Sequence, residues 1–286
     1  MKLTEIHMRD PYILPDNGKY YLYGTRGAET WGESYGFDVY VSFDLENWSE
    51  PTEVFTPPED FWSHRNFWAP EVHKYKGKYY MLATFGGEEG TMIRGTQILV
   101  SDSPLGPFNL HSNGPVTPKD WCCLDGTLYI EDSVPYMIFC HEWVQVKDGE
   151  VCALRLSEDL KSSVGEPFVL FRGSDPAWAP TNCDRYITDG PFVHKCKDGK
   201  ILLLWSSVKE GKYIEAVSYP EYGKISDKWI HEEKLFFEKN GGHGMLFETF
   251  EGKLMLALHA PNNNPHERPV LFSVEENNGQ LNVKKI

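Results

Sequence analysis

The chain has 286 residues, of which 41% are hydrophobic and 14% aromatic, and its formal net charge is −14. This length and apolar fraction are enough for one large β domain or two ordinary domains with a sizeable core. The negative charge argues against a nucleic acid or an anionic membrane surface as a partner. No run of about eighteen apolar residues is present, so we expect no membrane-spanning helix.

Six cysteines are present, and none belongs to a C-x-x-C pair, which argues against a structural zinc site. A chain of this length needs no disulfides, so we expect mostly reduced cysteines in the core of a cytoplasmic protein. The N-terminal residues MKLTEIHMRDP lack the apolar segment of a signal peptide, which is consistent with that location. A secreted protein is the alternative if a leader has been removed.

In chain order, the first predicted element is a β-hairpin over residues 9–25, RDPYILPDNGKYYLYGT. Its two strands are joined at Asp16-Asn17-Gly18, where Asn-Gly supplies the positive φ that a tight turn requires. The same plan recurs four more times: an acidic residue or His, a strand, a turn and an apolar strand. The matching positions are assigned to Asp10, Glu71, Asp125, Asp189 and His243, at intervals of 54 to 64 residues. Self-similarity at this period indicates an array or a propeller.

Each repeat also carries a third strand, and the polar-apolar patterns place these strands within Phe37–Trp48, Thr96–Phe108, Val151–Leu160, Tyr213–Pro220 and Arg268–Glu276. Short fourth strands are predicted near Thr52–Phe55, Pro167–Phe171, Lys234–Phe237 and Leu281–Lys285, and the fourth strand of the second repeat is not located. Four antiparallel strands in each of five units predict an all-β, five-bladed β-propeller that occupies residues 1–286 as a single domain. A β-sandwich is the alternative, but it does not explain the regular spacing.

The first strand of each blade lines the channel of a propeller, so the residues at the strand starts should meet at one mouth. Asp10, Glu71, Asp125, Asp189 and His243 would then form a ring. The second strands end at the same mouth, which adds Thr25, Phe85, His141-Glu142-Trp143, Ser206-Ser207 and His259. Like charges that crowd together raise one another's pKa, so the ring indicates a use for these carboxyl groups. Turn formation by the same Asp residues is the competing interpretation.

The motifs that open the blades are Arg9-Asp10-Pro11, Phe67-Trp68-Ala69-Pro70-Glu71, Leu124-Asp125-Gly126, Asp189-Gly190-Pro191 and Gly242-His243-Gly244. In this order and at blade spacing they resemble glycoside hydrolase family 43, whose members are inverting enzymes on a five-bladed propeller. The resemblance extends from Arg9 to about Phe272.

The resemblance implies a role for each motif. Asp10 would be the general base, Asp125 would orient and tune the acid, and the fourth-blade carboxylate would be the general acid. His243 would hold an ion such as calcium, or a water cluster, in the channel, and Arg268 would contact the sugar. No cofactor is otherwise required.

One position departs from the family pattern. The family usually has Glu-Gly-Pro in the fourth blade, whereas this chain has Asp189, which is shorter by one methylene. An inverting enzyme needs its two carboxyl groups roughly 6.5–9.5 Å apart to admit water. Asp189 is the favoured acid, Glu142 is the second candidate, and an inactive site is the third interpretation.

The predicted function is inverting exo-hydrolysis of a terminal pentose or furanose, α-L-arabinofuranose or β-D-xylose, from plant-type oligosaccharides, as the resemblance implies. Aromatic candidates to stack on the sugar are Trp31, Phe67, Trp68, Trp121 and Trp143, and further candidate contacts are Glu71, His141 and Ser207. The polar loop from Asn262 to Arg268 should edge the site. A sugar-binding propeller without activity and a retaining fructan-type hydrolase, with Asp10 as nucleophile, are the alternatives.

Overall fold

The computed structural model describes residues 1–87, 93–181 and 183–284. Its strands form five antiparallel sheets of four consecutive strands each. The first two sheets comprise β1 (Met8–Asp16), β2 (Lys19–Arg26), β3 (Phe37–Ser42), β4 (Thr52–Phe55), β5 (Trp68–Tyr75), β6 (Lys78–Gly86), β7 (Arg94–Ser101) and β8 (Asn109–Leu110). The other three comprise β9 (Cys123–Glu131), β10 (Val134–His141), β11 (Glu150–Arg155), β12 (Phe168–Arg172), β13 (Asp189–Lys195), β14 (Ile201–Lys209), β15 (Lys212–Pro220), β16 (Trp229–His231), β17 (Gly242–Glu248), β18 (Leu254–Ala260), β19 (Arg268–Asn277) and β20 (Gln280–Lys284).

The first strands of the sheets contact one another around a closed ring. Strand β1 contacts β5 and β17, β9 contacts β5 and β13, and β13 also contacts β17. Each of these contacts joins neighbouring sheets, and the last sheet returns to the first. The predicted five-bladed propeller, with four antiparallel strands per blade, is confirmed.

One predicted strand is wrong. The fourth strand of blade four is Trp229–His231 rather than Lys234–Phe237. Phe237 forms only an isolated bridge with Glu215, and its ring is buried in the core, which explains the apolar character of that segment. The fourth strand of blade two, which the pattern did not locate, is only two residues long. The predicted end of the last strand, Lys285, lies outside the described residues.

Helical structure in the described ranges is restricted to one turn of α-helix, α1 (Trp143–Val146), and two 3-10 turns, Leu3–Glu5 and Gly27–Glu29. No helix in those ranges has the length and hydropathy needed to cross a membrane. Helix α1 begins directly after Glu142, where the backbone leaves the second strand of blade three. Helix α1 therefore lies at the end of β10 that faces the predicted channel mouth.

The core consists of apolar side chains packed between adjacent blades. Between blades one and two, the rings of Phe37, Phe55, Phe61, Phe67 and Phe85 pack edge-on or tilted, with the Phe67 and Phe85 centroids 4.8 Å apart. Edge-to-face contacts of this kind add to the stabilisation from burial. None of the six cysteines, all of them in the described ranges, forms a disulfide; five are buried and Cys183 is exposed.

A β-bulge interrupts the first strand of every blade at one end of the channel. The strand register shifts there in all five blades, for example between Arg9 and Tyr12. One residue in each bulge has a left-handed backbone, with φ between 46° and 58°: Asp10, Ala69, Asp125, Gly190 and His243. Such bulges redirect side chains and are common beside active sites.

The bulges correct the predicted repeat alignment at two positions. Ala69 is the structural equivalent of Asp10 in blade two, and Glu71 lies two residues further along β5. Gly190 is the equivalent in blade four, and Asp189 lies one residue earlier. The error has a physical reason: backbone φ defines the bulge, whereas the prediction aligned acidic side chains. A side chain at position 190 would collide with His243, because an added Cβ would lie 2.8 Å from the ring carbon Cγ.

Candidate active site

Side chains from the second strands tie each blade to the bulge of the next blade. In four of the five cases the bulged residue donates its N–H to such a side chain: Ala69 to Thr25 Oγ1 (2.8 Å), Asp125 to Thr84 Oγ1 (2.8 Å), His243 to Ser206 Oγ (2.6 Å) and Asp10 to His259 Nδ1 (3.2 Å). Blade three has Cys140 at this position, and the Gly190 N–H donates instead to Asp125 Oδ2, at 2.9 Å. The third blade therefore uses the bulged Asp itself as the acceptor.

Asp10 lies in a buried environment rich in positive charge and hydrogen-bond donors. Thr25 Oγ1 donates to Asp10 Oδ2 at 2.6 Å, and His243 Nδ1 is 3.3 Å from Asp10 Oδ1. Burial raises the pKa of Asp10, but the charges of His243 and Arg9 and the Thr25 hydrogen bond outweigh burial, so this pKa lies below its ordinary value. Burial and the neighbouring Arg9 lower the pKa of His259 to about 3, so its neutral ring accepts the Asp10 N–H.

Asp125 is a buried carboxyl group beside Asp10. Its Oδ2 atom accepts the Gly190 N–H and lies 3.8 Å from His243 Nδ1. Burial and the negative charge of Asp10 raise the pKa of Asp125 well above its ordinary value. Asp10 and Asp125 thus share His243, and the charge on one disfavours a charge on the other.

Asp189 is partly buried at the start of β13, in blade four. Burial and the negative charges of Asp125 and Glu142 raise the pKa of Asp189 to about 7. Tyr213 Oη donates a hydrogen bond to Asp189 Oδ2 at 3.1 Å, which partly offsets this effect. The carboxyl group is therefore largely protonated below neutral pH, as a general acid must be.

Glu142, the second candidate acid, is buried in an ion pair. Arg94 Nη1 donates to Glu142 Oε2, and Cys122 Sγ donates to the same oxygen at 3.0 Å. The Arg94 guanidinium also lies over the Trp68 ring, 4.8 Å from its centroid. Proton donation by Glu142 would require this pair to be broken, which favours Asp189 as the acid.

These carboxyl groups line a cleft of about 630 Å³. Eight of the predicted site residues lie in its wall: Asp10, Asp125, Glu142, Asp189, His243, Trp31, Trp68 and Trp143. Trp31 is exposed and packs edge-on against Trp68, with centroids 5.5 Å apart. Trp143 carries the Arg185 guanidinium 4.7 Å from its ring centroid. The cleft thus combines three indole rings with several carboxyl groups, the composition expected of a carbohydrate site.

Five predicted substrate contacts lie elsewhere. Phe67 is buried in the aromatic core between blades one and two. Glu71 Oε2 lies 2.9 Å from His73 Nε2 inside the propeller. Ser207 Oγ donates to the Ile187 carbonyl oxygen at 2.7 Å. None of these three lines the cleft.

The other two are His141 and Arg268. His141 is buried, with Nδ1 3.1 Å from Glu150 Oε2 and its ring stacked on Trp121 at 4.1 Å. Arg268 donates to the carbonyl oxygens of Thr4, Pro265 and Glu267. These two side chains and Trp121 contact other protein groups and do not line the cleft. Their predicted roles as sugar contacts therefore have no geometric support.

Sequence reasoning missed several polar residues of the cleft. Arg9 donates to Asn262 Oδ1 at 2.7 Å and to Glu267 Oε1 at 3.0 Å, and Tyr213 and Arg94 also line the wall. Arg9 directly precedes the predicted base, which was an available signal. Tyr213 and Arg94 come from the third strands, which were not expected at the mouth. The predicted position of the Asn262–Arg268 loop at the site edge agrees with Asn262, Asn263, Asn264 and Glu267 in the cleft wall.

The residues around His243 do not fit a calcium cage. Calcium takes six to eight oxygen ligands. His243 directs Nδ1 at the carboxyl groups of Asp10 and Asp125. Within the described ranges, one group of three side chains lies close enough together to hold a metal ion, and His243 does not belong to it. A channel ion held through water at His243 stays a prediction, and no chemical step below depends on it.

A second concavity, of about 750 Å³, lies beside the cleft and shares Arg94 with it. Among the described residues its wall contains a single carboxyl group, Asp60. Hydrolysis by acid and base requires two carboxyl groups in different protonation states. Of these two concavities, only the cleft around Asp10 provides them.

Comparisons with known proteins agree with the cleft chemistry. A family model described as "Glycosyl hydrolases family 43" matches residues 3–279. The crystal structure described as endo-arabinase from Bacteroides thetaiotaomicron VPI-5482 superimposes with a TM-score of 0.88 and 38% identity, covering 98% of each chain. "Xylosidase/arabinosidase 43A" of Humicola insolens is 30% identical over 154 residues, 49% of this chain and 46% of that protein. "Extracellular endo-alpha-(1->5)-L-arabinanase 1" of Bacillus subtilis (strain 168) is 25% identical over 150 residues, 49% of this chain and 45% of that protein.

The matched part spans about half the length of these two curated relatives, whereas the family model and the Bacteroides structure cover nearly the whole chain. The family predicted from the blade-opening motifs is therefore confirmed. The protein belongs to glycosyl hydrolase family 43.

Proposed function

We propose that the protein is an inverting glycosidase that releases terminal pentose residues, α-L-arabinofuranose or β-D-xylose, from plant-type oligosaccharides. One observation carries the mechanism: Asp10 and Asp189 share a cleft, yet their pKa values are shifted in opposite directions. Two carboxyl groups with divergent pKa values are suited to act as base and acid at the same pH.

In this mechanism the Asp10 carboxylate removes a proton from a water molecule. The water oxygen attacks the anomeric carbon from the face opposite the leaving oxygen, and the glycosidic C–O bond breaks. Asp189 donates its proton to the leaving oxygen. Asp125 supports the proton donation, since its carboxyl group helps to raise the pKa of Asp189 and its Oδ2 accepts the Gly190 N–H next to that acid. The carboxyl groups alone account for every proton transferred.

The choice of a pentose rests on the relatives, whose names specify xylosidase, arabinosidase and arabinanase. The exposed face of Trp31 supplies an apolar surface of the kind on which a sugar ring stacks. Internal cleavage of arabinan is the second candidate function, because the Bacteroides neighbour that matches along nearly the whole chain is described as an endo-arabinase.

The experiment uses linear arabino- and xylo-oligosaccharides labelled at the reducing end, with NMR detection of the first-formed anomer. Inversion at the anomeric centre supports the mechanism, and retention contradicts it in favour of Asp10 as a nucleophile. Loss of one sugar at a time from the unlabelled end supports exo action, whereas mid-chain products support internal cleavage. Saturable binding without turnover on either series would contradict an enzymatic function.

A further inference from the structure

Two turns meet between blades four and five at the end of the propeller opposite the cleft. One joins β13 to β14, and the other joins β19 to β20. His194 lies near the end of β13 and Cys196 directly follows that strand, whereas Glu276 lies near the end of β19. One ligand atom from each side chain lies within 4.8 Å of the others, with Cys196 buried and the other two partly buried.

Local hydrogen bonds hold these ligands in place. His194 and Cys196 are two residues apart, so the strand periodicity directs both to the same side. The Cys196 N–H donates to the Lys200 carbonyl oxygen at 2.8 Å, which closes the turn. The Lys197 N–H donates to Glu276 Oε1 at 2.7 Å, and Glu276 Oε2 lies 2.8 Å from His194 Nε2. One oxygen of Glu276 is thus anchored, and the other faces the histidine.

We propose that His194, Cys196 and Glu276 bind one zinc ion that joins blades four and five. Imidazole nitrogen, thiolate sulfur and carboxylate oxygen are the three ligand types that zinc takes in proteins. At zinc–ligand distances of about 2.0–2.3 Å, tetrahedral ligands lie roughly 3.4 Å apart, so the three side chains need shifts of only about 1 Å. A water molecule from the adjoining groove, which His194, Glu276 and Ser273 help to line, completes the coordination.

The spacing of the cysteines argued against a structural zinc site, but that argument considered only cysteine pairs along the sequence. Here the ligands come from two blades, about 80 residues apart. Cysteine binds zinc as a thiolate, so metal binding displaces the thiol proton and the affinity should increase with pH.

The fold gives a reason for a link between blades four and five. In the part of the chain that the structure describes, every sheet is made of four consecutive strands, and the first and last blades exchange no strand. Blade five is the last blade in the sequence, and it is attached to blades one and four by contacts of β17 with β1 and β13 rather than by a shared strand. A metal bridge to blade four would stabilise the closed ring at the end distant from the cleft.

The experiment adds Co²⁺ to the metal-free full-length protein, records the visible and near-ultraviolet spectrum, and then displaces Co²⁺ with Zn²⁺. We expect one ion per chain, a tetrahedral Co²⁺ spectrum and a thiolate-to-metal charge-transfer band. Cys196→Ser should abolish the charge-transfer band, and Glu276→Gln should weaken binding by more than about 100-fold. Cys183→Ser is the matched control, because Cys183 is the exposed cysteine and its replacement should leave the spectrum unchanged.

Thermal unfolding provides a second measurement that does not depend on catalysis. Zn²⁺ should raise the Tm of the unmodified protein and of Cys183→Ser, but not that of Glu276→Gln. Absence of the charge-transfer band, its loss in Cys183→Ser, or equal metal affinity in Glu276→Gln would overturn the proposal. Gln has nearly the same volume as Glu, so Glu276→Gln should keep the packing of the unmodified protein. The comparison between these two proteins holds even if Cys196→Ser does not fold. A protein that binds zinc but hydrolyses no pentoside would leave this inference standing and refute only the proposed function.

Discussion

Asp10 in blade one and Asp189 in blade four each place a carboxyl group at the channel mouth. The electrostatic environments of the two groups are opposite. Asp10 receives a hydrogen bond from Thr25 and lies beside His243 and Arg9, and its pKa is lowered despite burial. Asp189 lies near the carboxyl groups of Asp125 and Glu142 and accepts a hydrogen bond from Tyr213, and its pKa is raised to about 7.

The difference shows that neighbours, rather than residue type, assign the two roles. The backbone contributes as well, since Asp10 occupies the bulge of its blade whereas Asp189 precedes the bulge by one residue. Asp189 therefore lies next to Gly190, which the Asp125 carboxylate holds, and Asp10 lies next to the neutral ring of His259. The predictions below remove these neighbours or the carboxyl groups themselves.

The largest effect is expected for Asp10→Asn. The amide cannot accept a proton from water, so kcat should fall by about 10²–10⁴-fold with the fold retained. Steady-state kinetics on an activated pentoside measures the loss, and circular dichroism checks the fold. Full activity of Asp10→Asn would refute its role as base.

The second effect concerns Asp189→Asn, measured on a substrate with a good leaving group and on one with a poor leaving group. A missing general acid should reduce kcat/KM for the poor leaving group by about 10²–10⁴-fold and much less for the good one. Asp189→Glu should retain substantial activity because it keeps an acid at this position. Equal losses on both substrates would show that Asp189 is not the acid.

Glu142→Gln is the matched comparison for that experiment. Its carboxylate pairs with Arg94, so its replacement should affect both leaving groups to a similar extent. A selective loss on the poor leaving group in Glu142→Gln would transfer the acid role to Glu142.

A smaller effect is expected in the pH profile. The acid limb of kcat/KM should follow ionisation of Asp10, below its ordinary pKa, and the alkaline limb should follow deprotonation of Asp189 near pH 7. Tyr213→Phe removes a hydrogen bond to the Asp189 carboxylate and should move the alkaline limb to higher pH, by up to about one unit. The acid limb serves as the internal control, since Tyr213 makes no hydrogen bond to Asp10 among those described. A shift to lower pH would contradict the assignment.

The smallest effect concerns stability rather than catalysis. Glu215 is fully buried behind Ser206, which donates to its Oε2 at 2.6 Å, and burial raises the pKa of Glu215 to about 8. A raised carboxyl pKa stabilises the fold fully below the unfolded value near 4.5, and this contribution is lost as the pH rises to about 8. Glu215→Gln should remove this dependence, so its Tm relative to the unmodified protein should increase between pH 5 and pH 8. A constant difference across that range would contradict the shift.

Much of the fold was predictable because its signals are local. The Asn17-Gly18 turn, strand alternation and regular recurrence of the hairpin depend on neighbouring residues, and they determined five blades in the correct order. The motifs around Asp10, Asp125, Asp189 and His243 identified the mouth, because strand starts in successive blades must converge once the propeller closes. These residues do line one cleft.

The tertiary structure decided everything that depends on contacts between distant segments. It placed Ala69 and Gly190 in the bulges, put Phe67 and His141 in the interior, and brought Arg94 to Glu142 and Tyr213 to Asp189. The sequence by itself determined which blades carry carboxyl groups, since hairpin periodicity is a local property. Which carboxyl group is ionised is not local: it depends on burial and on charges from other blades, and those exist only when the ring is closed.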